Sequence, residues 1–424
     1  MSAVRTAPVI HVDELSIRLQ TGEPVVAGVS FEVYPGEIVG LVGESGSGKT
    51  TTALSLLGYT RPGVVIEGGK VEVGGESVID RDGRALRGLR GKTVSYVPQD
   101  PGGALNPSMR IGGAIMDVLR AHRAGAGSGE SIRSALERVE LGSDPRFAHR
   151  YPHQLSGGQQ QRVTIAMACV CDPPVAVLDE PTTGLDVLTQ DRILAELRRL
   201  RDEDGMAMVY VTHDLAVVAQ MADRIIVMYA GRIVENGPAA EVIERPRHPY
   251  TRALVEAIPD FRHPRALRGI GGVSVGVGDW PDGCAFAPRC QHQQLRCHEA
   301  LPVLEETVPG HHVRCMRWME LDLHERDLPV GRNRRAASAA APLLAVTGLE
   351  ARYRSSRSGR PAVDAVSFTV EPGRCVALVG ESGSGKTTIG RCIAGLHVPA
   401  AGTIAFDGAA VAGHARKRPL EVRR

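Results

Sequence analysis

Apolar residues in this chain come in short blocks whose spacing switches between strand and helix. Residues 8–42 read as alternating strands, with a turn marked by Tyr34-Pro-Gly36. Glu37-Ile-Val-Gly-Leu-Val42 is a continuous apolar run, the pattern of a strand covered on both faces, and Thr51-Thr-Ala-Leu-Ser-Leu-Leu57 opens a helix. Gly68–Asp82 is Gly-rich and strand-like, and Thr93-Val-Ser-Tyr-Val-Pro98 predicts a further short strand that ends at Gln99. Ile111 to Val139 keeps helical spacing, interrupted by Ala124-Gly-Ala-Gly-Ser-Gly129. Val175-Ala-Val-Leu178 and Met208-Val-Tyr-Val-Thr212 repeat the buried-strand pattern. Each ends in ionisable residues, Asp179-Glu180 and His213-Asp214, at the carboxyl edge of a presumed parallel sheet, where such sheets bind ligands.

Between the first buried strand and its helix lies Gly43-Glu44-Ser45-Gly46-Ser47-Gly48-Lys49-Thr50, followed by Thr51. This fits G-x-x-x-x-G-K-[ST], a loop whose backbone N–H groups cradle the phosphates of a nucleotide such as ATP. Lys49 is placed to reach the β- and γ-phosphates, Thr50 to ligate Mg²⁺, and the helix N-terminus to face the anion. A strand before and a helix after make a chance Gly/Ser turn a poor alternative. A second anion-facing cap, Leu155-Ser156-Gly157-Gly158-Gln159, precedes another helix.

Composition narrows the class. The 424 residues have room for two or three domains, and 43% apolar content supplies sizeable cores. A net charge of +2, from 50 basic and 48 acidic residues, gives no polyelectrolyte footprint for nucleic acid, and 4% aromatic residues leave few stacking platforms. No apolar run is long enough to span a bilayer, and Met1–Pro8 lacks the apolar core of a signal peptide. A cytosolic protein is expected, meeting the membrane only through partners.

Taken in order, the phosphate loop, Gln99, Leu155–Gln159, Asp179-Glu180, Gly184-Leu-Asp186 and His213 resemble the nucleotide-binding subunit of ABC transporters. The resemblance covers about residues 10–258. It implies an α/β fold, a P-loop NTPase of the ABC ATPase type with a helical subdomain, that hydrolyses ATP at the cytoplasmic face of the cell membrane. Thr50 and Asp179 would hold Mg²⁺, Glu180 would act as general base, Gln99 would sense metal and water, and His213 would contact the γ-phosphate. ATP in this family lies between one subunit's phosphate loop and the Ser156-Gly157-Gly158 cap of another. A second ATPase subunit, two membrane permeases and an extracytoplasmic binding protein are the implied partners. One position departs from the family: the aromatic ring expected under adenine is Leu19 here.

Gln99-Asp-Pro, Leu105-Asn-Pro107 and Arg247-His-Pro-Tyr-Thr251 are similar to the oligopeptide/dipeptide/nickel importer branch. That branch implies peptide import, with nickel or another small solute as the alternative cargo. An extension over 259–320 carries Cys284, Cys290, Cys297 and Cys315 without the C-x₂₋₄-C spacing of zinc sites. Some members of the branch hold an iron–sulfur cluster there, so [4Fe–4S] ranks ahead of zinc, with unligated thiols third. Cys169, Cys171, Cys375 and Cys392 lie in apolar contexts and are expected in cores.

Residues 321–342 read as a linker around Arg332-Asn-Arg-Arg335. Beyond it the opening repeats: Ala362–Phe368 mirrors Val25–Phe31, and Gly380-Glu-Ser382-Gly383-Ser-Gly385-Lys386-Thr387 copies the first loop letter for letter. Tyr353 takes the adenine position that Leu19 fills in the first copy. Within 343–424 no second cap, acidic pair or switch histidine follows. The expectation is a partial second P-loop domain that does not hydrolyse ATP and is poorly ordered alone. Two other classes compete with an importer ATPase: a soluble ABC ATPase of DNA repair or translation, and a non-functional relic of a fused ATPase.

Overall fold

The computed structural model describes residues 7–79, 81–122, 128–259, 269–323, 341–353, 361–381 and 383–418. The chain divides into two compact units, residues 1–183 with 192–331 and residues 184–191 with 332–424.

In the first unit, β1 (Ile10–Leu19), β2 (Pro24–Val33), β4 (Val64–Val73) and β5 (Glu76–Ser77) form an antiparallel sheet in the order β2-β1-β4-β5. β1 alternates buried and exposed positions only in part, because its pairing with β2 slips three times. The second sheet has eight strands. These are β3 (Ile38–Val42), β6 (Val94–Val97), β7 (Val175–Asp179), β8 (Ala207–Thr212), β9 (Arg224–Tyr229), β10 (Arg232–Pro238), β11 (Glu305–Val308) and β12 (His311–Val313). Their order is β11-β12-β10-β9-β3-β8-β7-β6, and the run from β9 to β6 is parallel.

Every residue of β3, β7 and β8 is buried, as their unbroken apolar sequences require of strands covered on both faces. Leu15, Val29 and Val71 of the small sheet pack with Val39, Leu41, Val177 and Val209 of the large one in a single core. Each such side chain contributes roughly 1.5–3 kcal/mol on burial. β9 turns into β10 through Ala230 (φ 44) and Gly231 (φ 67), the two positive values that a tight hairpin of this hand needs.

Helices Ile111–His122, Gly129–Arg138 and Gly157–Cys169 lie between β6 and β7 in the sequence. Ser128 caps the second of them, its hydroxyl accepting from the Ser131 N–H at 3.2 Å. β12, within the expected cysteine extension, pairs with β10 through Glu235↔Val313 and Asn236↔His312, so residues on both sides of position 259 share one sheet.

The second unit holds β13 (Leu344–Ala351), β14 (Val363–Val370), β15 (Ala401–Phe406) and β16 (Ala409–Ala410), in the order β14-β13-β15-β16, and a helix at Lys386–Ile393. Its core is small: Val346, Leu349, Ala351, Val363, Ile389, Cys392 and Ile404. Residues 375–379, which match β3 of the first copy, form no strand. Val376, Leu378 and Val379 are 45%, 40% and 87% exposed, whereas Ile38 and Val39 are 0%. In the first copy β3 is sandwiched by β8 and β9, and no such neighbours exist among the described residues of the second unit. Cys375 is therefore exposed, contrary to the core position expected for it, while Cys169, Cys171 and Cys392 are buried.

Candidate functional site

Four parallel strands deliver the expected residues to one sheet edge. β3 runs into Gly43, β6 into Gln99, β7 into Glu180 and β8 into His213. The registers Val42↔Thr212, Asp179↔Val211 and Val97↔Leu178 keep these strand ends level.

The loop after β3 is closed by two glycines that no other residue replaces cheaply. A Cβ on Gly43 (φ +153) would meet the Met228 carbonyl oxygen at 2.2 Å, and Gly48 (φ +96) caps the helix Lys49–Ser55. Lys49 is buried and its Nζ donates to the Gly43 and Glu44 carbonyls, both at 2.8 Å. Burial pushes its pKa down, while the charges of Glu180, Asp179 and Glu44 oppose the shift. Ser45 and Gly46 are exposed, Ser47 and Gly48 buried, and Thr51 half-buried at the first helical turn.

Thr50 Oγ1 donates to Asp179 Oδ1 at 3.1 Å, and Tyr96 OH to Asp179 Oδ2 at 3.0 Å. Burial raises the Asp179 carboxyl pKa, and the bonds from Tyr96 and Thr50 act against it. Glu180 sits in the left-handed region (φ 48), held by its N–H on the Val211 carbonyl at 2.8 Å. Its carboxylate meets His213 Nδ1 at 2.8 Å on Oε1, and accepts from Gln99 Nε2 at 2.9 Å and Thr183 Oγ1 at 3.0 Å on Oε2. Burial alone would raise its pKa, but the His213 and Thr183 hydrogen bonds, with the charges of His213 and Lys49, hold it below the ordinary value.

Ser156 caps the helix Gly157–Cys169 in a reciprocal pair with Gln159: Ser156 Oγ accepts from the Gln159 N–H at 3.3 Å, and Gln159 Oε1 from the Ser156 N–H at 3.1 Å. Ser156 and Gly157 face outward, while Leu155 and Gly158 are buried beneath. Leu19 is half-buried at the end of β1 against the core.

In the second copy Lys386 Nζ donates to Gly380 and Glu381 carbonyls at 2.6 and 2.7 Å, the posture of Lys49. Gly385 again caps the helix with φ 93, Gly383 has φ 87, and Thr387 is exposed. Tyr353 OH shares a 3.2 Å hydrogen bond with Thr388 Oγ1, and its ring lies 4.7 Å from His397. Ser382 lies outside the described residues, as does most of the expected linker.

The oxygens of Thr50 and Asp179 suit a hard cation such as Mg²⁺. The four extension cysteines line one small cleft with His248 and Phe286. Burial pushes up the thiols of Cys284 and Cys290, and that of Cys315 to about 12. Among the described residues no group of three or more His, Cys, Asp or Glu is arranged to hold a metal ion. As placed, the cysteines do not fit the [4Fe–4S] or zinc site expected of them. Three contacts were not foreseen: Tyr96 on Asp179, Thr183 on Glu180, and Arg289 of the extension on Glu44. Tyr96 was within reach, lying on the strand that ends at Gln99; nothing in the sequence links Arg289 to the loop.

This edge, with its lysine, paired oxygens and clamped glutamate, is that of a P-loop ATPase. The ABC transporter family matches residues 26–183 and 363–423, and the chain belongs to that family of ATP-hydrolysing subunits. Its branch follows from residues 234–297, which match the oligopeptide/dipeptide transporter C-terminal region. A putative peptide import ATP-binding protein of Brucella melitensis is 44% identical over 70% of this chain and 92% of its own length. The oligopeptide transport ATP-binding protein OppD of Mycobacterium tuberculosis is 36% identical over 98% of this chain and 71% of its own. Among solved structures, a dimeric ATP-binding cassette in a post-hydrolysis state with ADP and Pi is similar with a TM-score of 0.50 and 30% identity. That match spans 54% of this chain and 98% of that one. No described helix is long and apolar enough to cross a membrane.

Proposed function

We propose that this chain is the ATP-binding and ATP-hydrolysing subunit that powers peptide import, working at the cytoplasmic face of the membrane with two permeases and an extracytoplasmic binding protein. The observation that carries the reading is the Glu180 carboxylate, gripped from both sides by Gln99 and His213; against burial, the His213 hydrogen bond and charge help to hold its pKa below the ordinary value. A carboxylate so fixed orients a water and accepts its proton as the γ-phosphoryl leaves. Lys49 neutralises charge on the phosphates, and the loop amides bind their oxygens. Thr50 and Asp179 would hold Mg²⁺, whose charge stabilises the departing phosphate oxygens.

The outward Ser156-Gly157 cap completes the site of a second subunit across a dimer, with Gly158 and Gln159 behind it. Closure of that dimer around ATP is the mechanical step handed to the permeases. Hydrolysis belongs to the first copy; among the described residues no paired strands flank the loop Gly380–Thr387. The domain assignment is residues 8–258 for the motor, 259–320 for the extension, 321–342 for the linker and 343–424 for the partial second copy. Co-expression with permeases and reconstitution in vesicles tests the whole reading. Peptide uptake coupled to ATP turnover is expected; turnover indifferent to permeases and peptide would overturn it.

A further inference from the structure

The His-Pro-Tyr stretch and the cysteine extension meet at one residue of the phosphate loop. Every polar group of Glu44 is engaged. Its N–H donates to Tyr250 OH at 2.8 Å, and its carbonyl accepts from Lys49 Nζ at 2.8 Å and the Ser47 N–H at 3.2 Å. Its carboxylate takes a two-pronged bond from Arg289, Nη1 to Oε2 at 2.6 Å and Nη2 to Oε1 at 3.0 Å.

Neither partner is free to wander. The Arg289 side chain is 5% exposed, its Nε donates to the Gly271 carbonyl at 2.8 Å, and its guanidinium lies 5.8 Å from the Tyr229 ring centroid. Tyr250 is fully buried, its ring 4.7 Å from that of Tyr229 and 5.3 Å from that of Phe286. Its backbone is set by a relay. Glu235, buried on β10, accepts from the N–H groups of Arg247 and His248 at 2.8 and 2.9 Å, and His248 Nδ1 accepts from the Tyr250 N–H at 3.0 Å. The same Glu235 pairs with His311 of β12 at 2.8 Å.

We propose that the C-terminal extension, acting with the His-Pro-Tyr stretch before it, sets the affinity for ATP by clamping the phosphate loop at Glu44, with Arg289 and Tyr250 as positioning residues. Neither touches the nucleotide; they hold the upstream half of the loop so that its downstream amides and Lys49 meet the phosphates already ordered. The inference rests on the assignment of Gly43–Thr50 as the ATP site.

The test is binding of a fluorescent ATP analogue with Mg²⁺ to the full chain, with thermal melting alongside. Arg289→Gln is expected to weaken binding about tenfold, the scale of one charge-assisted hydrogen-bond pair, and Arg289→Lys to restore part of it. Glu44→Gln should match Arg289→Gln, and the double variant should be no weaker than either, since both remove one interaction. Tyr250→Phe, which keeps the ring and loses only the acceptor, should weaken binding while lowering the melting temperature by only a few degrees. Wild-type affinity in Arg289→Gln and Tyr250→Phe, or losses that multiply in the double variant, overturns the clamp. Equal binding by wild type and Lys49→Ala overturns the ATP-site assignment itself and so separates the two failures.

Discussion

Thr50 and Asp179 share a hydrogen bond of 3.1 Å although one opens a helix and the other ends a strand far along the chain. Burial raises the Asp179 pKa above its ordinary value of 3.8, so its charge opposes folding at neutral pH. The penalty is absent below 3.8 and complete once the pH exceeds the folded value. Asp179→Asn is therefore expected to raise the melting temperature at pH 7 while Mg²⁺-dependent turnover falls about 10²-fold or more. Melting curves across pH and phosphate release from the assembled transporter check both halves.

Glu180 carries the opposite sign. Its pKa lies below the ordinary 4.5, so its stabilising contribution is full above 4.5 and disappears as the pH falls through the lower folded value. No acid limb in turnover is expected from this carboxylate above pH 4.5. Glu180→Gln should retain ATP and lose about 10²–10⁴ in turnover; nucleotide retention on a spin column and single-turnover hydrolysis measure the split.

Ser156 combines a helix cap with an outward face, and one substitution separates the two roles. Asp caps as well as Ser, so Ser156→Asp should leave stability within about 0.5 kcal/mol. Its negative charge would oppose a phosphate on a facing subunit. Turnover should collapse with the melting temperature unchanged; unaltered turnover would show that the cap meets no nucleotide.

Residues 375–379 have no strand neighbours among the described residues, and Val379 is 87% exposed. Limited proteolysis with mass spectrometry is expected to cut within 375–379 well before any site in Ile38–Val42, because unpaired exposed backbone opens at little cost.

Leu19 ends β1 half-buried, where the family offers an aromatic ring. Leu19→Tyr is expected to tighten ATP by about 1 kcal/mol without tightening inorganic triphosphate, on the scale of base–aromatic stacking. Calorimetric titration with both ligands resolves this.

Much of the molecule was legible because its chemistry follows local rules. The unbroken apolar runs before Gly43, Asp179 and His213 have the length and pattern of strands covered on both faces, and the glycine spacing fixes the loop between strand and helix. What escaped depends on distance. Arg289 reaches Glu44 through a 3₁₀ turn at Ala287–Arg289, and no periodicity encodes where a loop-rich segment lands. The exposure of Cys375 escaped for a related reason: an apolar run is buried only if partner strands flank it, and local sequence does not supply them.

The hairpin of β11 and β12 finishes the large sheet on the β10 side, and its outermost strand carries Glu305 and Glu306, both exposed. Charged side chains on an outermost strand disfavour edge-to-edge pairing, because a second copy would bring its own carboxylates against them and strip both of water. Cutting the chain ahead of His311 would strip away this guard and bare the ladder groups of β10, inviting molecules to join edge to edge.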